Sequence, residues 1–239
     1  MRVLLLAAGI GSRLRPLTNK VPKCLVQICN RPLLEHWLQL LNSELIDEVF
    51  VNLNYLSEQV KLFLDKRSPT SKVVQLYEEE LLGTAGTIKK NYKEFCGEPL
   101  MVIHADNLSR FNLSEFKKIF DNRESNIEIT MMTFDADEPK DCGIVELDER
   151  GVVVKFHEKL KNPPGNLANG AVYIISSSVI DFIYNSKGSF LDFSVDIIPH
   201  FIGKINTFHN NLYHRDIGTP KSLALAQSEF QRFNGPDSQ

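Results

Sequence analysis

Residues 9–23 form a glycine-rich basic loop that follows an apolar run, and their types and spacing are those of a phosphate-binding segment. Gly9 and Gly11 are expected to take positive φ values, so that successive N–H groups point into one concavity. Arg13 and Lys23 supply positive charge. The Rossmann fingerprint is excluded because Leu14 stands where a third glycine is needed, and a P-loop is excluded because no Gly-Lys-Ser/Thr follows. The loop therefore predicts a triphosphate site of another kind.

Two aspartates are the candidate metal ligands. Asp106 follows the apolar run 100–104, which places it at the carboxyl end of a predicted strand, and Asp216 stands in Asp-Ile-Gly-Thr-Pro. Mg²⁺ prefers carboxylate oxygens and needs only one or two of them when substrate phosphates supply the rest. Each aspartate is also the third residue of a His-x-Asp triplet, with His104 and His214. A transition-metal site is therefore the alternative, since imidazole is a ligand for zinc or iron.

Two further segments are candidates for substrate contacts. Residues 83–87 are small and lie between a predicted strand and a predicted helix, where bare backbone could accept a nucleotide base. A helix amino terminus that needs small residues would have the same sequence. Glu158 and Lys159 end a predicted strand, and as surface charges alone they would be unremarkable.

These residues are expected to be positioned by alternating strands and helices. β-rich apolar runs cover Val3–Ala8, Val49–Leu53, Val73–Tyr77 and Leu100–His104. Helices are predicted from Pro32 through Leu41, from a Ser57 cap through Leu64 and from a Ser114 cap through Phe120. This alternation indicates a parallel α/β sheet, in which ligands bind beyond the carboxyl ends of the strands. The glycine-rich loop lies at such an end.

The second half of the chain is richer in strands. Strands are predicted over 127–134, 143–147, 152–158, 171–175 and 212–217. The second and third of these are joined by the turn 148–151 and predict a hairpin. Thr219-Pro220 predicts the start of a last helix.

Composition limits the class of protein. The chain has 239 residues, 43% of them hydrophobic, and a net charge of -3, which argues against a nucleic-acid-binding surface. The run Val3–Ala8 is too short for a membrane span or signal peptide, so we expect a cytoplasmic protein without membrane contact. Four cysteines without a Cys-x-x-Cys pair are expected to be reduced and mostly buried. We expect one domain over 1–233 and a flexible tail over 234–239.

The loop Gly-x-Gly-Ser-Arg-Leu-x-Pro-Leu-Thr, closed by Pro22-Lys23, resembles the signature of the sugar-phosphate nucleotidyltransferases, or nucleotide-sugar pyrophosphorylases. The Leu-Gly-Thr-Ala-Gly segment at 82–86 is similar to the guanylyltransferase branch, which acts on mannose or heptose 1-phosphate, and to the muramyl-phosphate uridylyl branch. Glu158-Lys159 resembles the family's Glu-Lys-Pro step, although Leu160 replaces the proline.

The resemblance implies a fold and a set of roles. The fold would be Rossmann-like α/β, a mixed, mostly parallel sheet flanked by helices with a β-hairpin insert for the sugar, as in GT-A-like nucleotidyltransferases. The implied nucleotide-binding residues are Ala7, Ala8, Gly9, Gly11, Ser12, Arg13, Lys23, Gly83, Thr84 and Ala85. The implied sugar-phosphate residues are Gly143, Glu158, Lys159 and Asn169. Asp106 and Asp216 would hold Mg²⁺ and, with Arg13 and Lys23, form the catalytic set.

The implied activity is transfer of a nucleotidyl group from an NTP to a sugar 1-phosphate, with release of pyrophosphate. GTP is the first choice of nucleotide, and uridylyl or thymidylyl transfer to a hexose or muramyl 1-phosphate is the alternative. A nucleotide-sugar sensor on the same fold is the non-enzymatic alternative. The implied pathway is nucleotide-sugar biosynthesis for cell-surface polysaccharide. The sequence leaves the oligomeric state open, a homo-oligomer included.

Overall fold

A computed structural model describes residues 1–66 and 72–233. These residues form two compact units. Unit 1 consists of 1–4, 81–103 and 111–211, and the described part of unit 2 consists of 5–66, 72–80, 104–110 and 212–233. The described residues contain thirteen strands: β1 Arg2–Leu6, β2 Gln27–Ile28, β3 Arg31–Pro32, β4 Glu48–Leu53, β5 Lys72–Tyr77, β6 Leu100–His104, β7 Asn107–Arg110, β8 Ile129–Asp135, β9 Gly143–Leu147, β10 Val153–Glu158, β11 Leu167–Ile175, β12 Ile205–His209 and β13 Tyr213–Asp216. They also contain seven α-helices: α1 Leu33–Leu40, α2 Ser57–Asp65, α3 Gly86–Lys90, α4 Tyr92–Phe95, α5 Leu113–Asp121, α6 Ser177–Asn185 and α7 Pro220–Phe230.

Unit 1 is built on a sheet in which strand β11 is central. The strand order is β10-β9-β11-β6-β1, and β11 also pairs with β8. β11 is antiparallel to β6, β8 and β9, whereas β12 is parallel to β8. The large side chains of Phe116, Tyr173 and Phe193 are completely buried in this unit. The predicted hairpin is confirmed, since β9 and β10 pair in antiparallel register with Gly143 opposite Glu158.

Unit 2 contains the glycine-rich loop and the strand order β1-β4-β5. β4 and β5 are parallel, with Val49 opposite Val73, as the alternation of strands and helices predicts. Helix α1 buries Trp37, whose Nε1 donates to the carbonyl oxygen of Asn107 at 2.8 Å. Two small antiparallel sheets, β2 with β3 and β7 with β13, complete the unit.

The predicted α/β fold, with a mixed sheet and flanking helices, is confirmed, and most element ends differ from expectation by one or two residues. The predicted cap of α5 is wrong: Asn112 Oδ1, and not Ser114, accepts from the N–H of Glu115 at 3.1 Å. Ser114 instead donates to Asn112 Oδ1, because this asparagine, two residues earlier, already fills the N-cap position. Ser57 is likewise the first residue of α2 and not its cap, which is Leu56. Helix α7 begins at Pro220 as predicted, and its N-cap residue Thr219 accepts from the N–H of Ser222 through Oγ1.

The expectation of one domain over 1–233 stays a prediction, and the expected tail over 234–239 lies outside the described residues. Among the helices of the described residues, none is long and apolar enough to cross a membrane. All four cysteines are free thiols. The expectation that most are buried is wrong: only Cys24 is buried, and burial raises the pKa of its thiol to about 12, whereas Cys29, Cys96 and Cys142 are partly exposed.

Candidate active site

The glycine-rich loop turns sharply at Gly11. Its φ of 65° is in the left-handed region, and the residue precedes a short 3-10 helix, Ser12–Leu14. A Cβ atom at Gly11 would lie 3.0 Å from Cβ of Lys23, so the absence of a side chain lets the loop pack directly against that lysine. Thr18 Oγ1 donates to the Gly11 carbonyl oxygen at 2.8 Å and holds the turn. The positive φ expected at Gly9 is wrong, because the chain reverses at Gly11 and not before it.

Lys23 lies between the two predicted metal ligands. Its Nζ donates to Asp106 Oδ2 at 2.8 Å and to Asp216 Oδ1 at 3.2 Å. The lysine side chain is only 4% exposed, whereas the aspartate side chains are 42% and 48% exposed. Two carboxylate oxygens therefore converge on one cation while their outer sides remain open to solvent.

The pairing of β7 with β13 brings the two aspartates together. Asp106 lies in the turn between β6 and β7, and its neighbour Asn107 is the register partner of Asp216. Arg13 Nη2 reaches Asp216 Oδ2 at 3.2 Å, and the N–H of Gly218 donates to Asp216 Oδ1 at 2.7 Å. The partial burial of Asp106 by itself would raise its pKa, but the charges of Lys23 and His104, together with the hydrogen bonds from Lys23 and the backbone, hold that pKa below its usual value. The predicted catalytic set Arg13, Lys23, Asp106 and Asp216 thus occupies one place in unit 2.

The alternative of a transition-metal site is not supported. Within residues 1–66 and 72–233, no three His, Cys, Asp or Glu side chains are grouped so that they could hold a metal ion. Burial lowers the pKa of His214 to about 4, which makes its imidazole neutral at pH 7. Neutral imidazole is the form that binds metal, so the grouping of the side chains, and not the protonation of His214, is what argues against this alternative.

A cluster that the sequence reasoning missed holds the strand of Asp216 against helix α7. Arg215 donates to both carboxylate oxygens of Glu229, at 2.7 and 2.8 Å, and the Tyr213 hydroxyl donates to Glu229 at 2.9 Å. Bidentate pairs of this kind fix orientation as well as distance. The sequence signal that could have revealed this cluster was a basic residue, Arg215, next to Asp216 and an acidic residue, Glu229, in the helix that follows.

Ala7 and Ala8, predicted to bind nucleotide, lie buried just before the glycines. Their N–H groups donate to Asn52 Oδ1 at 2.6 and 3.1 Å. Asn52 was not among the predicted site residues. It is a polar residue inside the apolar strand β4, next to the strand's carboxyl end, and that anomaly was the signal that could have found it.

The predicted base-binding residues Gly83, Thr84 and Ala85 lie in unit 1, packed against residues 191–193. The N–H of Ala85 donates to the Leu191 carbonyl oxygen at 2.9 Å, and the N–H of Phe193 donates to Thr84 Oγ1 at 2.7 Å. Gly83 has a φ of 77°, and a Cβ atom there would lie 2.4 Å from the Leu191 oxygen. This close backbone contact explains why the residues here are small, independently of any base that binds beside them.

The predicted sugar-phosphate residues also lie in unit 1. Gly143 faces Glu158 across the hairpin, and Lys159 follows with a φ of 48° and its N–H on the Cys142 carbonyl oxygen. Lys159 Nζ lies 3.3 Å from Glu158 Oε1, and its side chain is 67% exposed. Lys159 therefore presents an accessible ammonium group at the end of the hairpin.

Asn169 lies in an irregular stretch of β11, where the register against β8 shifts between Asn169 and Tyr173. Its Nδ2 donates to the Tyr173 hydroxyl at 2.6 Å, and its Oδ1 accepts from the N–H of Ala171 at 2.9 Å. Burial raises the pKa of Tyr173, and the negative charges of Asp192 and Glu158 add to that effect. Tyr173 was not among the predicted residues, although it orients Asn169.

The sequence model of the nucleotidyl transferase family matches residues 2–232. The chain belongs to this family. Members of the family similar to it include the probable mannose-1-phosphate guanylyltransferase 3 of Oryza sativa subsp. japonica, which is 37% identical over 231 residues. That match covers 92% of this chain and 62% of the rice protein, so the chain spans less than two thirds of this relative's length. The D-glycero-alpha-D-manno-heptose 1-phosphate guanylyltransferase of Aneurinibacillus thermoaerophilus is 30% identical, with 98% of this chain and 100% of the relative covered.

Solved structures give the same family fold. The crystal structure of HddC from Yersinia pseudotuberculosis complexed with GMP-PN has a TM-score of 0.79 at 26% identity, covering 96% of this chain and 99% of that one. A putative glucose-1-phosphate thymidylyltransferase from Bacillus anthracis has a TM-score of 0.88 at 20% identity, covering 100% and 98%. The second likeness bears on the fold alone.

Proposed function

We propose that this chain transfers a nucleotidyl group, GMP in the first instance, from an NTP to a sugar 1-phosphate and releases pyrophosphate. The observation that carries the proposal is the position of the Lys23 ammonium between Asp106 and Asp216, with Arg13 on the outer oxygen of Asp216. Cations and carboxylates that converge beside a glycine-rich loop are what a triphosphate with a divalent ion requires.

Asp106 and Asp216 are suited to hold Mg²⁺. Their oxygens already converge on one positive charge, the Lys23 ammonium, and both side chains are about half exposed, which leaves room for water and phosphate oxygens. When bound, the ion would neutralise charge on the triphosphate and on the departing pyrophosphate.

The protein residues act by positioning and charge neutralisation. An oxygen of the sugar phosphate forms a bond to the α-phosphorus, while the bond from that phosphorus to the bridging oxygen of the β-phosphate breaks. The electron pair leaves with pyrophosphate, so no protein nucleophile is needed. Arg13 would neutralise the leaving pyrophosphate and Lys23 would contact the α-phosphate. A charge of this kind, held in place before the reaction, typically contributes about a hundredfold or more to the rate.

Unit 1 would supply the contacts to the sugar and the base. Lys159 would bind the phosphate of the incoming sugar, and Glu158 and Asn169 would bind its hydroxyl groups. The N–H of Gly143 would add a further donor. Gly83, Thr84 and Ala85 would contact the base. These assignments rest on the resemblance to the family and on the exposure of Lys159.

The choice of GTP is supported by the relatives, two of which are named guanylyltransferases, and by the HddC complex with GMP-PN. The proposed sugar is a mannose or heptose 1-phosphate on the same ground. The proposed compartment is the cytoplasm, where free thiols such as these persist. The pathway would be the synthesis of nucleotide sugars.

The test is a matrix of five nucleotides (GTP, UTP, dTTP, CTP and ATP) against mannose, heptose, glucose and muramyl 1-phosphates, with pyrophosphate release as the readout. We expect turnover only when nucleotide, sugar phosphate and Mg²⁺ are all present, with the highest kcat/KM for GTP. Excess chelator should abolish turnover, and Asp106→Ala or Asp216→Ala should lower it at least about a hundredfold. A pyrimidine nucleotide preferred with every sugar would refute the guanylyl assignment, and no turnover in any combination would refute the activity.

A further inference from the structure

Asn52 and Glu78 form a buried polar pair behind the glycine-rich loop. Asn52 is 4% exposed near the end of β4, and Glu78 is 1% exposed just after β5. Asn52 Nδ2 donates to Glu78 Oε1 at 3.3 Å, and the N–H of Glu78 donates to the Leu53 carbonyl oxygen at 2.9 Å. A carboxyl group buried this deeply in a folded protein calls for an explanation, because its burial is costly unless it has partners.

The carboxylate determines which way the Asn52 amide faces. A carboxylate oxygen accepts hydrogen bonds and main-chain N–H groups only donate, so the NH₂ group of Asn52 faces Glu78 Oε1. Its Oδ1 then faces the end of β1, where it accepts from the N–H groups of both Ala7 and Ala8. Asn54 Nδ2 donates to the carbonyl oxygens of Glu78 and Glu79 at 2.9 and 3.2 Å, but these two bonds do not involve the Asn52 amide.

This arrangement divides the loop into two parts. The N–H groups of Ala7 and Ala8 are used within the protein. By contrast, the backbone N–H groups of residues 9–13 donate to no acceptor among the residues that the structure describes. Four of these five residues are exposed, Gly11 being the exception. A set of unused N–H groups that starts immediately after two anchored ones is the geometry of an anion cradle with one fixed end.

We propose that Asn52 and Glu78 are positioning residues for the triphosphate: Glu78 orients the Asn52 amide, which anchors Ala7 and Ala8 so that the N–H groups from Gly9 onward face the phosphates. The inference rests on the proposed nucleotide-binding function. It adds two residues that touch no substrate and assigns phosphate contacts to 9–13 rather than to the N–H groups of Ala7 and Ala8.

The test exchanges the two side-chain types in two steps: Asn52 first becomes a carboxylate, and Glu78 then becomes an amide. Asn52→Asp places a second carboxylate against Glu78, and we expect it to raise the KM for GTP with Mg²⁺ at least about tenfold, because small displacements of a positioning group are costly. The KM for the sugar 1-phosphate should stay within about twofold, since that substrate is assigned to other residues. The double variant Asn52→Asp/Glu78→Gln restores one donor facing one acceptor, and its KM for GTP should return to within about threefold of the original.

The matched control is Asn54→Ala, which removes two hydrogen bonds to the same 78–79 backbone without touching Ala7 or Ala8. We expect its KM for GTP to stay within about twofold. An equal rise in Asn54→Ala and Asn52→Asp, or a double variant no better than Asn52→Asp, would overturn the proposal.

Amide hydrogen exchange, followed residue by residue by NMR on the unmodified protein, tests the same idea without a variant. The amides of Ala7 and Ala8 should exchange slowly with and without GTP and Mg²⁺, whereas those of residues 9–13 should exchange fast and become protected by GTP. Fast exchange at Ala7 and Ala8 in the free protein would refute the anchor. If the two amides were protected but GTP changed nothing at 9–13 and no nucleotide gave turnover, the proposed function itself would have failed.

Discussion

The ammonium group of Lys23 is almost completely buried, although both carboxylates that it contacts are about half exposed. Two carboxylates that share one buried ammonium group can still bind a further cation on their exposed side. One internal cation holds two acidic groups together on the protein side, and the solvent side of the same groups stays partly exposed, with the Arg13 guanidinium beside Asp216. The arrangement predicts that Lys23 and a divalent cation stabilise the same two carboxylates.

Lys23→Met should therefore lower the free energy of unfolding by about 1–3 kcal/mol, less than for a fully buried pair, because two neighbouring carboxylates lose their shared cation. Added Mg²⁺ should recover part of this loss. The measurement is thermal unfolding with and without Mg²⁺, and Lys20→Met, at an exposed lysine of the same loop, is the control. Equal Mg²⁺ effects on both variants would contradict a shared cation position.

Arg13 and Lys159 should be separable by kinetics, because they lie in different units and are assigned to different substrates. Arg13→Ala should lower kcat/KM most strongly when GTP is varied. Lys159→Ala should act mainly on the KM for the sugar 1-phosphate, provided that chemistry is slow enough for KM to follow binding. Unchanged sugar-phosphate kinetics in Lys159→Ala would mean that the replacement of proline by Leu160 has changed the use of this loop.

At the scale of elements, pairs of short segments position the candidate residues. The β7–β13 ribbon brings Asp106 beside Asp216, and the Arg215–Glu229 pair fixes the ribbon to α7. In unit 1, the segment that carries Thr84 is held by backbone hydrogen bonds to residues 191–193. Each of these contacts is made by residues that are far apart in sequence.

Gly83→Ala should be more destabilising than Gly97→Ala. Both glycines have positive φ values, 77° and 87°, so alanine costs about 1–2 kcal/mol at either place. At Gly83 the added Cβ would also lie 2.4 Å from the Leu191 carbonyl oxygen, whereas a Cβ added at Gly97 would meet no atom within 4 Å other than those of its chain neighbours. The overlap should add about 1–3 kcal/mol. Urea unfolding of the two variants measures the difference, and equal losses would argue against close packing of the two segments.

At the scale of the whole molecule, two buried histidines make the free energy of unfolding depend on pH. Burial lowers the pKa of His36, whose Nε2 lies 3.0 Å from the Ile28 carbonyl oxygen, and lowers that of His214 to about 4. Between pH 6.5 and these values, the unfolded chain binds protons that the folded chain does not. The contribution of these neutral histidines to the free energy of unfolding is therefore fully present above pH 6.5, and it is lost as the pH falls toward 4.

His36→Gln should reduce this loss, because glutamine can donate to the same carbonyl oxygen but takes up no proton in the unfolded state. Urea unfolding at pH 8 and pH 5.5, followed by the fluorescence of Trp37, the single tryptophan, gives the measurement. The decrease in stability between the two pH values should be smaller in the variant. An equal decrease would mean that His36 binds protons equally in both states.

The sequence by itself was sufficient for the local features. The α/β class, the hairpin and the start of helix α7 follow from residue types at short spacing, whereas the grouping of Arg13, Lys23, Asp106 and Asp216 as one chemical set rested on the resemblance to the family. Such features depend on interactions within a few residues, or on a motif that is read as a continuous string. The predicted cap at Ser114 is wrong because Asn112, two residues earlier, is an equally favoured N-cap residue and accepts the N–H of Glu115.

The tertiary structure decided what lies between distant segments. That Lys23 bridges Asp106 and Asp216 depends on the pairing of β7 with β13, and the orientation of Asn52 depends on Glu78 at the end of the next strand. No local pattern contains these contacts, because the partners are 26 residues apart for Asn52 and Glu78 and 193 residues apart for Lys23 and Asp216. Packing brings the segments together, and the burial of Lys23, Asn52 and Glu78 makes their hydrogen bonds obligatory, since an unpaired buried polar group is costly.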